Sequence, residues 1–329
     1  MTTMTILGAG SWGRVLASLC SQQGHDIVLW ARADSFQNLS HDQRISFSPQ
    51  VHLQSDLSLA LRNTELVLFA VPSHAVRQVA AACTSSWTPH KIVVMCAKGL
   101  EPGTSHRLSR VVADVLPGAL YSVLSGPNLA AEITAGQPAA AVVASDDATV
   151  ARHVQTVLSN AILRLYTSTD VIGVEMGGAL KNCIAIAAGI ADGLALGVNS
   201  RSALITRGLA EMVRLGVAVG AQPLTFLGLA GLGDLVATCS STYSRNHQLG
   251  VALAQGLPLT DAQRHIGHVA EGVTTTREAY TLARRLGVRT PIIDGVYALL
   301  YEGQTITSAR TTLLSSPPGE EMEFSGGLG

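Results

Sequence analysis

At 329 residues and 34.2 kDa the chain is about twice the usual domain length of roughly 100–200 residues, which predicts two domains and excludes a peptide hormone or a disulfide-stapled miniprotein. With 22 Lys and Arg against 23 Asp and Glu, a formal net charge of -1 and a pI near 6.8, no field spread over the molecule attracts nucleic acid or an anionic membrane. A charged fraction of 14% and a mean hydropathy of +0.31 call for a check for membrane spans, and the most apolar stretch, residues 171–197, is interrupted by Glu175, Lys181 and Asp192; its uncharged runs fall short of the roughly 20 residues a span needs, so it reads as a buried helix.

From Thr5 to Tyr166 short apolar runs alternate with segments of helical period, the pattern of a parallel sheet covered on both faces. The strands read as Thr5–Leu7, Asp26–Trp30, Leu66–Val71, Lys91–Cys96, Tyr121–Leu124, Ala139–Ala144 and Ile162–Tyr166. After Ser168 the β-branched runs give way to long Ala/Leu/Gly segments punctuated at Gly197, Pro223, Gly256 and Pro291, which predicts a helical second domain. Thr275 followed by Glu278 reads as a capping box that starts a helix there. Residues 315–329 are rich in Pro, Gly, Ser and Glu and read as a mobile tail. The domains are therefore placed at 1–168, 169–314 and a tail, with no internal repeat.

Leu7 ends the first strand and is followed by Gly8-Ala9-Gly10-Ser11-Trp12-Gly13 and then by Val15, Leu16 and Leu19 at helical spacing. In that strand–turn–helix context the glycines make a tight turn that a pyrophosphate can approach, and the helix start offers N–H groups to the anion. The fold class is thus α/β, an N-terminal Rossmann domain with a mostly parallel sheet followed by an all-α C-terminal domain. The second strand ends Leu29-Trp30-Ala31-Arg32 with no acid for a ribose 2′-hydroxyl; Arg32 suits a 2′-phosphate and favours NADP, while Asp34 keeps NAD open.

Ligands in such sheets bind beyond the carboxyl ends of the strands. Three stretches qualify: Val71-Pro72-Ser73-His74, Cys96-Ala97-Lys98-Gly99-Leu100-Glu101 and Ser125-Gly126-Pro127-Asn128. His74 is read as a capping or packing residue ahead of an acid or base. Lys181 is the anomaly of the second half, since its helical neighbours Gly177, Gly178, Ile184 and Ala185 do not form a solvated face. It either serves proton transfer in a cleft or plays a structural role beside Asn182. The run Gly228 to Asp234, then Thr238, Ser240, Ser241, Thr242, Ser244, Arg245 and Asn246, suits a phosphate or is a plain polar loop, with Asp234 a helix cap or a partner of Lys181. No metal-ligand spacing occurs. Five scattered cysteines without a CxxC pair, and an N-terminus that enters a strand with no leader pattern, point to the cytoplasm. Cys96 and Cys183, each two residues from a lysine, are read as packing residues, with redox sensitivity as the alternative.

These residues, in order from Gly8–Gly13 through Val71–Ala75, Lys98–Glu101, Ser125–Pro127, Lys181-Asn182, Ala203–Gly208, Gly228–Asp234, Ser244–Asn246 and Glu271-Gly272, resemble the bacterial NAD(P)-dependent glycerol-3-phosphate dehydrogenases. The resemblance implies reversible hydride transfer between NAD(P)H and dihydroxyacetone phosphate, giving sn-glycerol 3-phosphate for phospholipid synthesis, by a homodimer. It implies Lys181 as proton donor or base, Lys98 as the cation at the carbonyl, and Asp234 and Asn182 as orienting groups. Arg245 and Asn246 would hold the phosphate, with Gly126, Asn128, Thr238 and Ser244 lining the substrate. The nucleotide positions would be Gly8, Gly10, Ser11, Trp12, Gly13, Arg32, Lys98, Ala130, Arg245, Val269 and Glu271. Asn128 stands where the family usually has Ser or Thr, Ala33 where a second basic residue is common, and Ile45–Gln50 lacks the usual Tyr-Leu-Pro-Gly motif. A hydroxyacid dehydrogenase with a Lys-Asn pair and a catalytically silent NADPH sensor are the alternative readings.

Overall fold

The structure, a computed structural model, describes residues 2–37, 48–267 and 270–308. The chain divides into two compact units, residues 1–101 with 106–175, and residues 102–105 with 176–329. The helix Val171–Gly193 therefore starts in the first unit, beyond the boundary read at Ser168. The reason is Glu175, which accepts hydrogen bonds from Arg107 Nη1, the Ser109 N–H and the Tyr121 hydroxyl, all in the first unit.

The first unit is built on one eight-stranded sheet of order β3-β2-β1-β4-β5-β6-β7-β8: β1 Thr3–Leu7, β2 Asp26–Trp30, β3 Val51–Gln54, β4 Leu66–Phe69, β5 Ile92–Met95, β6 Leu120–Ser125, β7 Ala139–Ala144 and β8 Leu163–Ser168. Every neighbouring pair is parallel except β6 with β7. β4 (LVLF) and β5 (IVVM) are buried at every residue, as strands covered on both faces must be. β3 was not anticipated: at the sheet edge its VHLQ is exposed at His52 and Leu53, and it carries no continuous apolar run to betray it. The helix Ser11–Gln22 lays Val15, Leu16 and Leu19 into the core with Ile6, Leu29 and Leu68. The strand order turns at β1, flanked by β2 and β4, which is the topological switch where such sheets bind ligands.

The second unit is helical: Val171–Gly193 from Met176 onward, then Gly197–Ala218, Asp234–Ser240, Arg245–Ala254, Leu259–Ile266, Glu271–Leu286 and Pro291–Tyr301. A 3₁₀ turn at Pro223–Leu227 and a π turn at Leu229–Gly233 precede Asp234. The expected capping box is not one. The helix begins at Glu271, Thr275 lies buried inside it, and the Glu278 carboxylate accepts from the Gly103 N–H (3.0 Å) and Ser105 Oγ (2.7 Å) instead of its own helix start. Val171–Gly193 is long and apolar enough to cross a membrane by length and composition, yet nearly all of it is buried, the character of a core helix.

Candidate active site

The glycine turn after β1 is shaped by two demands of the fold and one that the fold does not make. Gly8 sits at φ +116°, where a Cβ would also lie 2.7 Å from the Ala70 carbonyl oxygen, and a Cβ on Gly13 would meet the Gly8 carbonyl oxygen at 1.9 Å. Gly10 has an ordinary extended backbone and a Cβ there would touch nothing within 4 Å. It opens space beside a helix start that has no side-chain cap. Room together with unprotected N–H groups fits a pyrophosphate. Trp12 packs on the core, Ser11 is exposed at the helix start, and Ala130 begins the helix Ala130–Thr134, which packs against Ser11–Gln22. Arg32, 77% exposed, follows β2 with Asp34 at 3.7 Å.

At the ends of β5 and β6, Lys98 Nζ donates to the Gly126 carbonyl at 2.7 Å. Gly126, at φ +150°, leaves no room for a Cβ, which would lie 2.8 Å from Ala141 Cα. Two residues on, the Asn128 carboxamide has both its oxygen and its nitrogen buried without a hydrogen-bond partner. Buried amides are ordinarily satisfied, so the chemistry of this one suits a polar group from a ligand.

In the second unit Lys181 is 6% exposed and Asp234 1%. The Lys181 ammonium donates to Asp234 Oδ1 and, at 2.7 Å, to Thr238 Oγ1, whose own proton goes to the Asp234 carbonyl at 2.6 Å. Asp234 is thus the partner of Lys181, and the polar run around it is no plain loop. Gly177, one turn before Lys181, lets the Ala230 carbonyl come close; a Cβ there would stand 2.5 Å from that oxygen. Asn182 Oδ1 accepts from Asn246 Nδ2 at 2.9 Å, and Asn246 Oδ1 accepts from the Gly272 N–H at 2.9 Å. Ser244 caps the helix Arg245–Ala254, Arg245 is exposed at its start, and Glu271 opens the next long helix. Within this unit Lys181, Asn182, Asp234, Thr238 and Asn246 form two adjoining networks.

Val269, the usual-motif positions 45–47 and the tail lie outside the described residues. His74 is exposed in the turn Ser73–Ala75. All five cysteines are free and buried, and burial pushes Cys183 and Cys239 up to about 12 and Cys96 higher still, which disfavours the reactive thiolate at neutral pH. Sequence reasoning passed over Arg77, which forks onto Glu101, although both stand inside or beside motifs it singled out.

A family model described as NAD-dependent glycerol-3-phosphate dehydrogenase N-terminus matches residues 3–151, and one described as the C-terminus of the same enzymes matches residues 170–311. The chain is 45% identical over 329 residues to a glycerol-3-phosphate dehydrogenase (NAD(P)+) of Anaeromyxobacter dehalogenans (strain 2CP-C), covering 97% of this chain and 99% of that one. It is 43% identical over 341 residues to the protein of the same name from Lacticaseibacillus casei (strain BL23), covering 98% and 97%. The crystal structure of a glycerol-3-phosphate dehydrogenase from Coxiella burnetii superposes with a TM-score of 0.91 at 36% identity, covering 95% of this chain and 99% of that one.

Proposed function

The chain belongs to the NAD-dependent glycerol-3-phosphate dehydrogenase family, and from that premise we propose how its own residues carry out the reaction: reversible reduction of dihydroxyacetone phosphate to sn-glycerol 3-phosphate, supplied to phospholipid synthesis. The observation that carries the reading is the buried Lys181–Asp234–Thr238 network. The reduced nicotinamide supplies the hydride when bound. Lys181 gives its proton to the ketone oxygen as that oxygen gains negative charge, and takes it back in the oxidation. Asp234 and Thr238 aim the ammonium; Asn182, held by Asn246, orients the substrate hydroxyls. Lys98 adds a second cation that stabilises the developing alkoxide. Arg245 and Asn246, with Ser244 holding the helix start, bind the phosphate, whose binding energy aligns the reacting carbon. Gly126 and Asn128 complete the substrate side. Gly8, Gly10, Ser11, Trp12, Gly13, Ala130, Val269 and Glu271 serve the dinucleotide, and exposed Arg32 directs preference to NADPH over NADH.

We assign the protein to the cytoplasm, on its five free thiols. A homodimer is proposed on the apolar side chains that the second unit leaves in the open, Val198, Leu224 and Leu227, at 66%, 77% and 60% exposure; light scattering on the eluting protein checks it. The deciding assay follows the near-ultraviolet absorbance of the reduced cofactor with dihydroxyacetone phosphate, in parallel with NADPH and NADH, and with unphosphorylated dihydroxyacetone as control. Fast turnover that needs the phosphate is expected. A protein that binds NADPH and turns nothing over overturns the reading.

A further inference from the structure

The loop that leaves β5 with Lys98 is braced by a charge pair that none of the roles above uses. Arg77, on the helix Val76–Cys83 that follows β4, forks onto Glu101: its Nε meets Oε1, and Nη2 donates to Oε2 at 2.8 Å. Arg77 also stands 3.5 Å from Asp114 of the helix Leu108–Val115. Glu101 is 6% exposed and lies three residues after Lys98. Its N–H donates to the His106 carbonyl at 2.9 Å, and Leu100 bridges to Arg107, so the two feet of the loop are clamped together. The far foot is fixed in turn by Glu175, which takes Arg107 and the Ser109 N–H.

We propose that Arg77, acting through Glu101, is the positioning residue for the Lys98 ammonium. A two-bond guanidinium–carboxylate fork fixes direction as well as distance, which a lysine at 77 would not reproduce. With Arg77 removed, the buried Glu101 carboxylate loses its forked guanidinium partner, and the cheapest relief is for the loop to open and let water reach it. Lys98, on the same short segment, moves with it and leaves the Gly126 carbonyl. The consequence for rate rests on the dehydrogenase reading; the displacement of Lys98 does not.

The sequence makes that displacement directly readable, because it holds three lysines, Lys91, Lys98 and Lys181. Lys91 is an internal reference in the same unit: it is buried, with Nζ donating to the Leu61 and Thr64 carbonyls at 2.8 and 2.9 Å. The experiment is limited acetylation of the intact protein with acetic anhydride, resolved by peptide mass spectrometry, on wild type, Arg77→Met, Arg77→Lys and Glu101→Gln. Expected is an increase of about fivefold in the labelling rate of Lys98 in Arg77→Met, with Lys91 within about twofold of wild type, and a fall in kcat of about tenfold or more, as displacements near 1 Å can produce. Unchanged labelling at Lys98, or an equal rise at Lys91 and Lys98, overturns the proposal, the latter by showing general loosening. A wild type without turnover, with the selective rise still seen in Arg77→Met, overturns the dehydrogenase reading and leaves the bracing of Lys98 standing.

Discussion

Glu211 makes the second unit's stability depend on pH in a direction opposite to that of most carboxylates. It lies on the helix Gly197–Ala218, 1% exposed, and accepts from the N–H groups of Ile292 (2.7 Å) and Ile293 (3.1 Å) at the start of Pro291–Tyr301. Burial raises its carboxyl from 4.5 to about 8, more than those two N–H groups and the nearby Arg214 lower it. The sign follows from proton counting. Below about pH 4.5 the group is protonated folded and unfolded, and contributes nothing to the pH dependence. Between there and about pH 8 the unfolded chain has released the proton and the folded one has kept it, so stability falls as pH rises, and it levels off above. A gap of roughly three and a half pH units at 1.36 kcal/mol each comes to about 5 kcal/mol, or more than about 10 °C in Tm at some 2–4 °C per kcal/mol. Glu211→Gln keeps the shape and one acceptor, loses a hydrogen bond at every pH, and abolishes the slope. Thermal unfolding of both proteins from about pH 5 to about pH 9 should show the Tm of the Gln variant gaining on wild type by that amount. A Tm difference that is flat across the series refutes the argument, because Glu211 would then be ionised throughout.

Lys181→Met should lower kcat by about 10²–10⁴-fold, the usual share of a positioned proton donor, and destabilise by about 3–5 kcal/mol because the buried Asp234 loses its lysine counter-charge; steady-state kinetics and urea unfolding separate the two effects. Gly10→Ala should leave Tm unchanged, since its Cβ meets nothing, yet weaken NADPH binding about tenfold or more by intruding on the pyrophosphate space. Gly250→Ala should do the reverse: its Cβ would lie 2.1 Å from the Ile186 carbonyl oxygen, so Tm drops by an amount equivalent to about 1–3 kcal/mol or more while NADPH affinity is kept. Arg32→Gln should cut kcat/KM with NADPH about tenfold and leave NADH nearly untouched, measured as paired initial rates.

What could be read in advance followed from local pattern. The first βα turn was legible because strand, glycines and helix occupy adjacent positions, and Lys181 because a single ammonium in an apolar helix contradicts its neighbours. What could not be read depends on residues far apart in sequence. Asp234 could be offered as a partner of Lys181 only as one of two readings, because they meet across more than fifty positions, and the approach of Thr238 to Lys181 and of Asn246 to Asn182, the latter across 64, leaves no local trace. The spacing Thr275–Glu278 imitated a cap, yet the carboxylate is taken by Gly103 and Ser105, which no window along the chain connects to it. Asn128, a departure from the usual hydroxyl residue, has both polar atoms of its amide buried and unpartnered, which the sequence pattern alone did not reveal.

The placement of Asp234 against Lys181 shows how little side-chain chemistry is needed once the backbones are brought together. Gly177 and Lys181 are four residues apart on one face of their helix, and Ala230 and Asp234 are four residues apart across the π turn and the helix start that follows it. Contact at the first pair therefore sets the register of the second. A side chain at 177 would collide with the Ala230 carbonyl, and one at Gly231 would lie 2.1 Å from the Phe226 carbonyl, so the two backbones approach because 177 is bare and the turn that carries Ala230 closes because 231 is. The acid is thereby delivered to the ammonium by two glycines that take no part in the chemistry. The charge pair itself, with both members nearly fully buried, is weak evidence of stability, since desolvating two ions offsets most of their attraction. The proposed proton transfer gives a reason for the pair in so apolar a helix, and Thr238 supplies the further hydrogen bond that holds the ammonium against Asp234.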